Sequence, residues 1–254
     1  MKIIVFGDSF ARIFSLVKPE TITVYPYKGA TLKGLTKKNN SNRIRIEKII
    51  SNELTAKYAI FVFGQVDLNL SFYYDLIANG TETKYEQYIV DYTYWIQSIC
   101  HPKKIKPIIL GVYPSPLDEY YTLCSLVKYG SLDQDTVNNN DDILMHYADE
   151  LIRQMRYFEF NFVLKQNCNK NGIIYFDLIH YLYNTNLTLK KEYKDISTYN
   201  MHLRWEPIIP ILITELSKLH IPIEQTDIVN DINEIEATYI KYKNDKMEEL
   251  KGYS

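Results

Sequence analysis

The sequence predicts an α/β protein built on one mostly parallel sheet. Three observations carry this. Short, continuous apolar runs recur at 2–6, 58–63, 105–112 and 172–176, with a shorter one at 22–25. Stretches of helical periodicity lie between them. The 254 residues, 46% hydrophobic and 24% charged, suffice for one large domain with a real core. Parallel strands covered on both faces read as unbroken apolar runs, and alternation with helices gives right-handed crossovers.

The first run, ending Ile3-Ile4-Val5-Phe6, leads directly into Gly7-Asp8-Ser9-Phe10. A buried strand followed by Gly-x-Ser delivers the serine to the strand's carboxyl end, the edge where open α/β sheets bind ligands. Glycine permits the tight turn, and 11–17 can begin a helix whose N–H groups face an anion. The same residues also fit an ordinary turn with an N-capping side chain. The strand at 22–25 precedes Lys28-Gly29-Ala30-Thr31, where a glycine lets a backbone N–H approach a substrate oxygen. A helix over 43–54 follows, with Ile44, Ile46, Ile49, Ile50 and Leu54 on roughly one face.

The third strand, 58–63, ends in Gly64-Gln65-Val66-Asp67-Leu68-Asn69. Polar side chains just past a buried strand share the sheet edge with Ser9; Gln65, Asp67 and Asn69 are therefore candidates to donate to an oxyanion, bind substrate or brace loops. Helices are predicted over 85–100 and 142–167. Between the strand at 105–112 and the second of these, Pro114, Pro116, Gly130 and the run Asn138-Asn139-Asn140 mark a long loop or short inserted helix above the sheet. The final helix of the domain is 207–219, with Pro207 near its first turn. Of five histidines, only His202 lies in a loop after the last strand; His101, His146, His180 and His220 lie within or beside helical stretches. Beyond Glu224 the composition turns acidic, and Ile228, Ile232, Ile235 and Ala237 recur near helical spacing. The expected organisation is an α/β domain over 1–222 and a C-terminal helical extension over 223–254, packed on the domain or on a second subunit as a route to a homo-oligomer.

Composition excludes several classes. A net charge of -2 argues against nucleic acid as the main partner. Cys100, Cys124 and Cys168 have no metal-binding or disulfide-scaffold spacing, so neither metal nor cofactor is expected. Neither dinucleotide nor Walker-type glycine patterns occur. With no secretory leader pattern and no run long enough to span a membrane, the expectation is a reduced, cytoplasmic protein without a membrane partner.

Taken together, the GDS turn, the glycine after the second strand, the FGQVDLN stretch and the NMHLRWE stretch, in that order over roughly 2–220, resemble the SGNH/GDSL hydrolase superfamily. The resemblance implies a three-layer α/β/α sandwich of flavodoxin-like type with a five-stranded, mostly parallel sheet. It implies Ser9 as nucleophile, His202 as catalytic base and Gly29 as oxyanion donor, with Gly34 as the second choice. Two positions depart from the pattern. Val66 stands where the third block has its oxyanion asparagine, leaving Gln65 or Asn69 to substitute. Tyr199 stands where the triad acid precedes the histidine by three residues, leaving Asp195, or Asp177 at the end of the fifth strand, as the acid, with Asn200, adjacent to Tyr199, as a substrate or oxyanion contact. An Asn oxygen can orient an imidazole but supplies little charge stabilisation. The function implied is a serine esterase acting on acyl, chiefly acetyl, esters of a small molecule or carbohydrate. The alternatives are a weakly active or inactive SGNH-like protein that binds a glycan or another protein, and an O-acetyltransferase using Ser9 as acyl carrier. Trp205, Tyr73-Tyr74 and Tyr120-Tyr121 are aromatics of the kind that stack on sugars or fill a core.

Overall fold

The computed structural model describes residues 2–17, 21–194, 200–221 and 223. Five strands form the sheet: β1 (Lys2–Gly7), β2 (Ile22–Pro26), β3 (Ala56–Val62), β4 (Lys106–Leu110) and β5 (Ile174–Phe176). Their order is β2-β1-β3-β4-β5, and every pairing is parallel. The α-helices are α1 (Leu32–Leu35), α2 (Ser41–Asn52), α3 (Phe72–Asn79), α4 (Glu86–Cys100), α5 (Glu119–Lys128), α6 (Gln134–Asn139), α7 (Asp141–Ala148), α8 (Glu150–Lys170), α9 (Ile179–Leu182) and α10 (Ile209–Lys218). Among the described residues no helix is long and apolar enough to cross a membrane. The C-terminal extension expected beyond residue 223 lies outside the described residues.

The unbroken apolar strands have the physical cause expected of them. Alternate residues enter two separate cores. Ile4, Phe6, Ala59, Phe61 and Ile109 pack beneath α2, α4 and α8, through residues such as Ile46, Trp95 and Leu164. Ile3, Val5, Ile60, Val62 and Ile108 pack on the other face against the 3₁₀ helix Ser9–Leu16 and α10. The result is the three-layer α/β/α sandwich.

Two expectations about helices are corrected. The helix over 142–167 is two helices, because Asp149 leaves helical geometry with ψ of 134° and caps α8, its carboxylate accepting from the N–H groups of Leu151 and Ile152. The segment 114–140 holds two inserted helices, α5 and α6, each started by an aspartate cap, Asp118 and Asp133.

The strand order places a topological switch point between β1 and β3, since the chain leaves one towards β2 and the other towards β4. Ligand crevices of open α/β sheets form outside the carboxyl ends at such a point. Ser9 follows β1, and the segment Gln65–Asn69 follows β3, so both flank that crevice.

Candidate active site

Ser9 owes its position to the turn after β1. Asp8 N–H donates to Val62 O, and the Asp8 carboxylate accepts from Phe10 N at 2.9 Å, capping the 3₁₀ helix whose first residue is Ser9. Gly7 is required by close approach: a Cβ there would lie 2.4 Å from Ala11 Cβ and 2.6 Å from Val62 O. The half-buried Ser9 Oγ lies 2.9 Å from Nε2 of His202, a residue 193 positions further along the chain.

His202 is 2% exposed and precedes α10. Its Nδ1 lies 2.9 Å from Asn200 Oδ1, and its backbone N–H donates to the same oxygen at 3.1 Å. In the neutral ring this pair of contacts favours one tautomer. A backbone N–H can only donate, so the atom facing it is the amide oxygen, and the ring nitrogen facing that oxygen carries the proton. Nε2 is then the lone-pair nitrogen, facing the Ser9 hydroxyl. Phe10 lies against the imidazole, with ring centroids 4.2 Å apart and planes tilted by 32°. Tyr113 in turn meets Phe10 edge-on at 5.6 Å.

The structure brings together Ser9, His202 and Asn200. Asn200, expected as a substrate or oxyanion contact, sits instead on the far nitrogen of the imidazole. Asp195 and Tyr199 lie outside the described residues. Asp177 caps the turn into α9, accepting from Ile179 N at 3.2 Å.

Gly29 lies on the exposed turn after β2 with φ of +67°, a conformation that favours glycine. Tyr27 N–H donates to Gly7 O at 2.7 Å, which sets this turn beside the one carrying Ser9. Gly34 lies within α1, its N–H donating to Thr31 Oγ1.

Of the three roles open to the third-block side chains, donating to an oxyanion, binding substrate or bracing loops, their contacts are those of loop braces. The Gln65 amide grips the backbone of Tyr113, Nε2 donating to its carbonyl at 3.0 Å and Oε1 accepting from its N–H at 2.8 Å. Asn69 Nδ2 donates to Gln65 O, and Asn69 Oδ1 accepts from the Tyr157 hydroxyl, both at 2.8 Å. Asp67 accepts from Leu32 N at 2.6 Å and Lys33 N at 3.0 Å, clamping the first turn of α1. Asp67 and Asp8 are both fully buried. Burial raises the Asp67 carboxyl to about 6 against the lowering effect of the Lys33 and Leu32 N–H groups. Burial likewise pushes Asp8 up, with the nearby Asp67 adding to the shift. Trp205 and Tyr73 are core residues, whereas Tyr74 and Tyr120 are exposed.

Sequence reasoning missed Phe10 as a neighbour of the imidazole and Tyr113 as the residue held by Gln65. Phe10 adjoins Ser9 in the sequence, which was the available signal.

No protein-family model matches the chain, and no curated protein matches it by sequence. Solved structures do. A GDSL-like lipase from Bacteroides thetaiotaomicron superposes with a TM-score of 0.54 at 13% identity, over 86% of this chain and 88% of that one. A protein from Bacteroides fragilis described as a candidate acylhydrolase gives 0.53 at 12% identity, over 87% and 88%. The aryl esterase of M. smegmatis gives 0.50 at 10% identity, over 86% and 98%. The parallel five-stranded sheet in this order is thus the SGNH-hydrolase fold.

Proposed function

We propose that this chain is a serine ester hydrolase of the SGNH type. The observation that carries the reading is the hydrogen-bonded series Ser9 Oγ, His202 Nε2, His202 Nδ1 and Asn200 Oδ1, placed at the switch point of the sheet. A nucleophile bonded to a base, with the base oriented by a third group, is the arrangement nucleophilic catalysis needs.

In the proposed reaction His202 Nε2 takes the hydroxyl proton as Ser9 Oγ bonds to the ester carbonyl carbon. The carbonyl electron pair moves onto oxygen, where the N–H groups of Ser9 and Gly29 stabilise it. Collapse expels the alkoxide, which takes the proton from the imidazolium. Water, deprotonated by the same nitrogen, then attacks the acyl-serine and releases the acid. The substrate class proposed is an acetyl ester of a carbohydrate or other small molecule, in the cytoplasm.

A second reading, a weakly active or inactive binding protein on the same scaffold, is favoured by Val66 at the donor position and by the engaged amides of Gln65 and Asn69. Labelling with a fluorophosphonate, read by intact mass, separates the two. The esterase reading expects one adduct on the wild type, none on Ser9→Ala, and slowed labelling of His202→Ala. A folded wild type that takes no adduct overturns it in favour of the binding protein.

A further inference from the structure

Helix α8 is apolar on two faces. Tyr157, Phe160, Leu164 and Cys168 enter the core beneath the sheet. Along its flank, Leu151, Met155 and Phe162 are 52%, 55% and 64% exposed. Phe158, half-buried with its ring 5.5 Å from that of Tyr183, joins them. The spacing of four, three and four residues aligns these side chains in one stripe. Apolar residues scattered singly over a surface need no partner, but four in register along one helix form a seam of the kind that packs on another helix.

The stripe is symmetric about the point between Arg156 and Tyr157. A two-fold axis there sets Leu151 opposite Phe162 of the partner subunit, and Met155 opposite Phe158 of the partner subunit. A closed dimer requires this self-complementarity of a surface patch. The terminal charges of α8 have the matching asymmetry, with Arg153, Arg156 and Glu159 between them. Asp149 caps its first turn, which holds Glu150, and Lys165 and Lys170 lie towards its end. Antiparallel pairing brings the acidic end of each helix to the basic end of the other and opposes the two helix dipoles. We infer that this flank of α8 docks on the same flank of a second copy of the chain, the helices antiparallel about that axis. The inference does not involve Ser9 and stands whether or not the protein hydrolyses esters.

Sedimentation velocity on the full chain tests it, over about 1–100 µM, the range in which a single helix-pair contact is expected to associate. The expected result is a monomer–dimer equilibrium whose dissociation constant rises at least about tenfold in Met155→Glu and in Phe162→Glu. Circular dichroism checks that both variants are folded. Mixing Leu151→Cys and Phe162→Cys chains, each carrying Cys124→Ser, is expected to give a disulfide-linked dimer joining the two introduced cysteines. A wild type that stays monomeric throughout, a dimer indifferent to both charged variants, or absence of that cross-link overturns the proposal. A monomer in which Phe162→Cys resists maleimide also overturns it, and assigns the stripe to another part of the same chain.

Discussion

Asn200 gives the sharpest test of the proposed mechanism. Its Oδ1 receives both the Nδ1 proton and the backbone N–H of His202. In the proposed transition state the ring becomes imidazolium, so the Nδ1 hydrogen bond becomes charge-assisted. Such bonds contribute about 1.5–3 kcal/mol, and Asn200→Ala should therefore slow acylation of Ser9 by about 10- to 150-fold. Part of that loss reflects tautomer choice: Asn200 Oδ1 favours the proton on Nδ1, and rings protonated at Nε2 cannot accept from Ser9. Asn200→Asp keeps the acceptor and adds a charge about 4 Å from the ring centre. At an effective dielectric of about 20 that is worth up to about 4 kcal/mol, less the cost of burying the carboxylate. The variant should label at least as fast as wild type. Because the carboxylate favours imidazolium, the pH at which labelling falls off on the acid side should move upward. The assay is the second-order rate of fluorophosphonate labelling from about pH 5 to 9, with release of p-nitrophenol from an acetyl ester as a turnover check. An Asn200→Ala rate within threefold of wild type, roughly 0.6 kcal/mol, would refute the reasoning.

Four further outcomes follow from the same geometry. Phe10→Leu keeps an apolar side chain but removes the ring face on His202, which can stabilise imidazolium by about 0.5–2 kcal/mol, so labelling should slow by about 2- to 30-fold. Gly7→Ala should destabilise the fold by about 1–3 kcal/mol in denaturant titrations, because the added methyl meets Ala11 and the Val62 carbonyl. Val66→Asn restores a side-chain donor at the third block, and a gain of about tenfold or more in labelling rate would show that the missing donor limits activity, given that one such donor is worth about 10²–10³. Asp67, raised by burial to about 6, keeps its proton longer folded than unfolded, so stability should fall as pH rises through about 4 to 6, by up to about 3 kcal/mol, and Asp67→Asn should flatten that dependence. Buried Asp8 acts with the same sign, and stability that rises over that window in chemical denaturation would contradict both assignments.

The strands were legible because their chemistry is local. Each is an apolar run buried on two faces, and the observed strands overlap every run. The discrepancies have local causes too. The run at 105–112 outlasts β4, which ends at Leu110, because Val112 satisfies its backbone elsewhere: Asn161 of α8 accepts from its N–H at 2.9 Å and donates to its carbonyl at 2.7 Å. The break between α7 and α8 is invisible to apolar periodicity, which runs through it, but Asp149 followed by Glu150 is the signature of a helix start.

The polar residues of the site divide along the same line. Ser9 and His202 are legible from their neighbours: one follows a strand through a glycine turn, the other precedes the last helix. Asn200 uses the same local device as Asp8 and Asp177, a side-chain oxygen accepting from the N–H two residues on. That device carries its oxygen to the ring of the histidine it supports, so position 200 can serve where a triad acid is expected. Asp67, Gln65 and Asn69 are different. Their partners, Leu32 and Lys33, Tyr113, and Tyr157, are distant in sequence, and no local pattern names them. A sheet edge where several loops converge leaves many buried backbone groups to satisfy, and unpaired ones are costly. Here polar side chains after β3 meet that demand, tying the loops after β2, β3 and β4 into one rim. In the proposed mechanism the oxyanion site is therefore built from backbone N–H groups held by that rim, and Val66→Asn and Asp67→Asn should act differently: the first adds a donor beside those groups, and the second loosens the turn that carries one of them.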